Sequence, residues 1–279
     1  MSLAADYLAL VEQIRAHLSL PTVQRLYFPR LAADDFRDEF GFVFLSTGDV
    51  GAFYVSLETS LAELWQAYPQ PEQVQGSLDH WLAKLDSPQL AERALGLGAF
   101  NALSQYVFRL ANYQAPPRQA ATNTQTEHTK LGMVGYFCPL VERLTAKQQT
   151  VVVLEQQPER VLPHPLVALA TTPAELADCD EILCTAATLI NQSLDSILAA
   201  CQQASRFSLI GPSAGGLPDL VFARGVDSVG AIHFPNAEAL LDVLADQDSW
   251  GGVGEKYEIN RVDYPGLAAL LARIPPKYS

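Results

Sequence analysis

Apolar residues change their spacing along the chain near residue 120. In residues 4–18, Leu8, Val11, Ile14 and Leu18 recur three or four positions apart, which predicts an amphipathic helix. The run "EFGFVFLSTGDVGAFYVSLE" then reads as two strands around "STGD" and predicts a β-hairpin. Helical spacing returns near 59–67 and 76–85. A longer helix is expected after "DSPQ", with Ser87 as its N-cap and Pro88 at its first position. It runs through "LAERALGLGAFNALSQYVFRLAN", so the first half reads as α+β.

The stretch "QAPPRQAATNTQTEHTK", residues 114–130, has no apolar period and is rich in Pro, Gln, Thr and Asn. It predicts a linker, with one domain over 1–120 and a second over 121–279. Beyond it, continuous apolar runs ("LGMVGYF", "TVVVLEQ", "EILCTAATL", "FSLIGPS", "DSVGAIHF") alternate with helical ones ("CPLVERLTAK", "PAELAD", "SLDSILAACQQA", "LPDLVFAR", "NAEALLDVLAD"). That rhythm predicts a parallel sheet covered by helices on both faces. With right-handed crossovers it becomes a doubly wound, Rossmann-like α/β domain.

In such a sheet ligands bind outside the carboxyl ends of the strands. Those ends supply the candidate site: Gly132, Gly135, Tyr136 and Phe137 after the first strand, and Glu155 after the second. Thr185, Thr188 and Asn191 follow the third, Gly211, Pro212 and Ser213 the fourth, and His233 the fifth. Glycine admits a backbone close to a ligand. Glu155 stands 20 residues beyond Gly135, where an acid meets ribose hydroxyls in dinucleotide-binding folds. Yet the spacing is G-x-x-G, and Pro139 removes one N–H that a phosphate would use. In the long helix, Ala94, Gly98, Asn101 and Gln105 share one face at spacings of 4, 3 and 4. They suit either close packing or the far wall of a cleft between the halves.

Charge narrows the partners. With 31 acidic and 18 basic residues and a formal net charge of −13, the chain lacks the positive footprint that nucleic acid or an anionic membrane needs. No run of 18 apolar residues occurs, and the N-terminal stretch carries Asp6 and Glu12 in place of a basic leader. Four scattered cysteines, Cys138, Cys179, Cys184 and Cys201, read as free thiols in a reducing compartment, which places the protein in the cytoplasm. A symmetric dimer is the default assembly.

Three segments, "LGMVGYFCPLVERL", "CDEILCTAATLINQSLDSIL" and "LIGPSAGGLPDLVFARGVDSVG", resemble the signature segments of the DUF364 family, a heavy-metal chelation family. The first half, with "FGFVFLSTGDVGAFYVSLE" and "ERALGLGAFNALSQ", resembles the DUF4213 domain that commonly precedes it. The resemblance implies an enolase N-terminal-like domain packed on a Rossmann-like one, with a ligand site between them. It carries Asn101, Gly132, Gly135, Tyr136, Thr185, Thr188, Asn191, Gly211, Pro212 and Ser213 into that site, and a heavy or transition metal as its ligand. Metal-ligand spacings such as C-x-x-C or H-x-x-x-H are absent, and Cys138, Glu127, His128 and His233 are the candidate donors.

The expected function is therefore small-molecule, metal or metal-cofactor binding between the halves. No nucleophile–base pair can be named, so no reaction is assigned. A metal-delivery protein, and an enzyme using a nucleotide or S-adenosylmethionine-type cofactor without the dehydrogenase fingerprint, are the alternatives. The missing glycine spacing argues against a nicotinamide oxidoreductase.

Overall fold

A computed structural model describes residues 2–31, 39–118 and 129–275. Ser2 caps the first helix, α1 (Leu3–Arg15), by accepting the Ala5 N–H. Strands β1 (Thr22–Tyr27), β2 (Phe40–Leu45), β3 (Val50–Tyr54) and β4 (Gly76–Ser77) form an antiparallel sheet in the order β3-β2-β1-β4. The predicted hairpin is β2–β3, closed by Leu45 N–H on the Asp49 carbonyl with Gly48 at φ 83°. Helices α2 (Ser60–Ala67), α3 (Leu78–Leu82) and α4 (Leu90–Leu110) follow. Helix α4 starts two residues later than Ser87 and Pro88 suggest. The Ser87 hydroxyl accepts the Gln89 N–H and donates to Glu92, so it shapes the turn before the helix.

The second half runs β5 (Leu131–Val134), α5 (Cys138–Ala146), β6 (Val151–Leu154), β7 (Val167–Ala170), β8 (Glu181–Thr185), α6 (Ala187–Ile190), α7 (Leu194–Ala200), β9 (Arg206–Ile210), α8 (Asp219–Ala223), β10 (Ser228–His233), α9 (Ala237–Ala245), β11 (Glu255–Asn260) and α10 (Leu267–Leu271). The sheet order is β11-β10-β9-β8-β5-β6-β7. All neighbours from β5 to β10 pair in parallel, and β11 pairs antiparallel with β10. The fold is thus mixed α/β with a mostly parallel sheet.

Two strands escape the sequence pattern. Strand β7 is a four-residue edge hidden behind Pro163 and Pro165, and β11, "EKYEIN", mixes charge with apolar positions after a glycine-rich stretch. The run "EILCTAATLIN" is also shorter as a strand than it reads. The chain turns at Ala186 into one helical turn, so Thr188 lies in α6 and Asn191 just after it.

Helix α4 is buried along nearly its whole length and lies between the two sheets. It meets β3 so closely that a Cβ on Gly51 would collide with the Gly98 carbonyl oxygen and Ala102 N. One apolar core joins α4 (Leu95, Phe100, Leu103) to the second sheet (Cys184, Leu209, Val229). A second joins β2 and β3 to Ile232, Phe234 and α9. A third packs α5 on β5 and β6. After α4, Pro117 bridges Tyr257, which lays the chain along β11.

Candidate functional site

The strand order reverses at β5, with β6 on one side and β8 on the other. This is the switch point at which open α/β sheets form a crevice. Gly135 follows β5 at φ 82°, a conformation that favours glycine, and its N–H reaches the Leu154 carbonyl at 2.8 Å. A Cβ there would stand 3.0 Å from Thr185 Cγ2, so Gly135 and Thr185 face each other across the switch point.

Glu155 reaches back over this turn. Its Oε2 accepts the Tyr136 N–H at 2.9 Å and its Oε1 the Gln157 N–H at 3.0 Å. In nucleotide-binding folds, N–H groups at such a turn meet phosphate. Here a carboxylate of the chain takes one of them, Pro139 supplies none, and the Leu140 and Val141 N–H groups turn to the Phe137 carbonyl. An anionic group arriving at the turn meets negative charge.

On the first turn of α5, the Cys138 thiol donates to Glu142 Oε1 at 3.4 Å, and the Tyr136 phenol stands two residues earlier, at the turn. Cys138 is half-buried, whereas Cys179, Cys184 and Cys201 are buried. Burial first, then the Glu142 carboxylate, raises the Cys138 thiol above its ordinary range. Burial pushes Cys184 up to about 12 and Cys201 up to about 11. A thiol and a carboxylate thus meet at the carboxyl end of β5. Among the described residues no three His, Cys, Asp or Glu side chains converge as a metal cluster, and Cys138 and Glu142 stand here as a pair.

The other predicted residues divide between two places. Gly135, Tyr136, Phe137, Glu155 and Thr185 gather at the ends of β5, β6 and β8. Asn101 and Ser213, each 1% exposed, gather elsewhere. Asn101 Nδ2 donates to the Ala52 carbonyl at 2.8 Å and the Ser213 carbonyl at 2.9 Å, while Ser213 Oγ accepts the Tyr54 N–H at 2.8 Å. Gln105 Nε2 donates to the Gly215 carbonyl at 2.7 Å, and Ser104 Oγ accepts the Leu217 N–H at 2.9 Å. Residues 211–217 therefore join the two halves. Gly211, at φ 128°, and Pro212 open that loop.

Gly132 lies inside β5, where a Cβ would stand 2.6 Å from Ile182 Cδ1. The Thr188 hydroxyl donates to the Thr185 carbonyl at 2.7 Å, and Asn191 Oδ1 accepts from Ser193. Both serve local turns. Among the metal candidates, strands β8 and β9 separate Cys138 from His233, while Glu127 and His128 lie outside the described residues. Burial holds the His233 imidazole below its ordinary range, against the pull of Glu255 and Asp49.

Sequence reasoning passed over Glu142, Tyr54 and Arg160. The four-residue spacing from Cys138 to Glu142 on a helix was the available signal for the first. Tyr54, whose hydroxyl is 3.5 Å from Arg160, gave none, because the contact spans 106 positions. A cavity of about 530 Å³ opens beside Arg15, His17 and Asp79 in the first half. Arg15 is held there by Glu12 and Asp79, and the cavity is remote from the sheet edge.

Comparison with known proteins agrees with this architecture. The sequence profile of a family described as "DUF364: Putative heavy-metal chelation" matches residues 120–262. An uncharacterized protein of Methanocaldococcus jannaschii is 26% identical over 186 residues, 65% of this chain and 71% of that protein. The crystal structure of a DUF364 protein of unknown function from Pyrococcus horikoshii aligns with TM-score 0.68 at 23% identity, covering 92% of this chain and 99% of that one. A DUF364 protein of unknown function from Desulfitobacterium hafniense aligns with TM-score 0.66 at 17% identity, covering 91% and 98%. These two likenesses bear on the fold. Among the described residues no helix is long and apolar enough to cross a membrane.

Proposed function

The chain belongs to the DUF364 family, and from that premise we propose that it binds a soft metal ion, or a small molecule carrying one, at the carboxyl end of β5. The observation that carries this reading is the Cys138 thiol, half-buried at the switch point and 3.4 Å from the Glu142 carboxylate. A thiolate is the soft donor that such ions select, and a bound metal displaces its proton. Glu142 supplies negative charge beside it, and Glu155 keeps the turn unfavourable to anions. The family's description agrees in kind.

In this reading the first half is the DUF4213-type, enolase N-terminal-like partner. Its antiparallel strands followed by helices support that assignment, and Tyr54 beside Arg160 brings β3 toward the same sheet edge. The four unpaired thiols suit a reducing cytoplasm. The alternative of a nucleoside-type cofactor draws on the strand order and on Glu155. Both Glu155 oxygens already accept backbone N–H groups, so the metal reading is preferred.

Titration of the metal-free full-length protein with Cd²⁺, followed by thiolate-to-metal charge-transfer absorption, tests the proposal. The thiolate band of the wild type should level off with one thiolate-bound ion per chain. Cys138→Ser should abolish the band, and Glu142→Gln should weaken binding about tenfold, or ~1.4 kcal/mol. An undiminished band in Cys138→Ser would overturn the reading.

A further inference from the structure

Strand β10 ends at His233, whose Nδ1 lies 3.1 Å from Gln105 Oε1. An imidazole nitrogen can donate or accept, and here Gln105 decides which. Its Nε2 is 2.7 Å from the Gly215 carbonyl oxygen and 3.3 Å from the Tyr257 hydroxyl. An amide turned the other way would press two carbonyl oxygens together at 2.7 Å, so the nitrogen belongs at Gly215. Gln105 Oε1 therefore faces the histidine and can only accept. His233 Nδ1 must carry a hydrogen, and in the neutral ring Nε2 is a lone pair. Among the described residues nothing hydrogen-bonds to that lone pair, and the ring is half-buried.

The residue opposite His233 in the antiparallel ladder is Glu255. Directly paired residues project to the same face with Cβ atoms about 4.5–5.5 Å apart. Glu255 is exposed and forms no hydrogen bond through its carboxylate among the described residues. Asp49, from the β2–β3 turn, adds negative charge nearby, but Arg109 holds both of its oxygens at 2.8 and 2.7 Å. Glu255 is thus the carboxylate left to act with the ring.

We infer that His233 Nε2 and the Glu255 carboxylate form a second cation seat, for a divalent ion of zinc, nickel or cobalt class whose open positions hold water or a small ligand. Imidazole with carboxylate is the donor set that borderline ions accept. A ring held through its other N–H by a fixed acceptor is the outer-shell arrangement of metal-ligating histidines. Gln105 is then a positioning residue: it sets the tautomer and aims the ring. This seat goes beyond the Cys138 reading, because it uses other residues, a harder donor set and another part of the sheet.

The test uses full-length Cys138→Ser protein with ¹⁵N-labelled histidine, so that a failure of the thiol site cannot affect it. Long-range ¹H–¹⁵N spectra, with the His233 signals assigned through His233→Asn, should show hydrogen on Nδ1 alone near neutral pH. Zn²⁺ should shift the His233 Nε2 signal before those of the other four histidines. Glu255→Gln should weaken that response about tenfold, and Gln105→Leu should release a mixture of tautomers. Hydrogen on Nε2 in the parent protein, a His233 signal unmoved by Zn²⁺, or equal shifts at all histidines would each overturn the inference.

Discussion

Cys138 differs from the other three thiols in its surroundings, and alkylation should report the difference. Iodoacetamide at mildly alkaline pH should modify Cys138 in the native protein, with Cys179, Cys184 and Cys201 following only on unfolding; peptide mass spectrometry checks this. Because burial and Glu142 raise the Cys138 thiol, its reaction should be slower than that of a free cysteine and should accelerate as pH rises. Glu142→Gln removes a nearby carboxylate, lowers the thiol's range and should speed the reaction. The two neighbouring glycines show where residue-level reading stops. Gly132 and Gly135 look alike in "LGMVG", yet only Gly135 adopts the positive φ that marks a turn. Gly132 is small because Ile182 and Cys179 occupy the space, a fact carried by residues some fifty positions away. Gly132→Ala should cost about 1–3 kcal/mol by overpacking, measured by denaturant unfolding.

At the scale of elements, α4 and β3 are the pair on which the first half is built. A Cβ at Gly51 would collide with α4 backbone rather than with a side chain that can rotate, so Gly51→Ala should cost at least about 3 kcal/mol, seen as a large fall in melting temperature. Asn101→Leu should cost about 2–4 kcal/mol, because it leaves the Ala52 and Ser213 carbonyls without their donor. The stripe Ala94, Gly98, Asn101 and Gln105 was visible as a face of small and amide residues. Its use as a seam against β3 and the 211–217 loop depends on contacts some fifty positions apart to the strand and more than a hundred to the loop, which periodicity does not encode. The alternation of strands and helices was legible for the same reason that β7 and β11 were not. Strands buried on both faces leave long apolar runs, whereas edge strands have less to bury. Thr188 and Asn191 were read onto a strand end because Thr, Ala and Leu fit either state. A single helical turn is too short to impose a period.

The whole molecule shares one apolar core across its two halves, and it should unfold in a single transition by calorimetry and by circular dichroism. Arg224 ties α1 to α7 through Asp6 at 2.5 Å and Asp195 at 3.1 Å. The dependence of stability on pH should follow from groups at both extremes. The Lys84 and Ser87 hydrogen bonds hold the Glu92 carboxyl below its ordinary range. Its contribution is therefore complete above that range and is lost as pH falls through the lowered value. Burial, and then the neighbouring Asp219, holds the Tyr264 phenol above its ordinary range, and burial does the same for Tyr7 and Tyr257. Their contribution is complete below the ordinary tyrosine range and is lost as pH rises through the raised values. Melting temperature should be flat near neutrality and fall on both sides. Tyr264→Phe should lessen the alkaline fall by its own part, leaving that of Tyr7 and Tyr257.

The 211–217 loop also limits how the molecule can respond to what it binds. Asn101, Gln105, Ser104 and Tyr54 each engage it, so swinging the halves apart would break four interfacial hydrogen bonds worth about 0.5–1.5 kcal/mol each, and would wet the apolar contact around them. A clamshell closing on its guest is therefore foreign to this architecture. Entry and exit must rely on side chains at the open end of the crevice, and small-angle scattering should record the same radius of gyration with and without a bound ion.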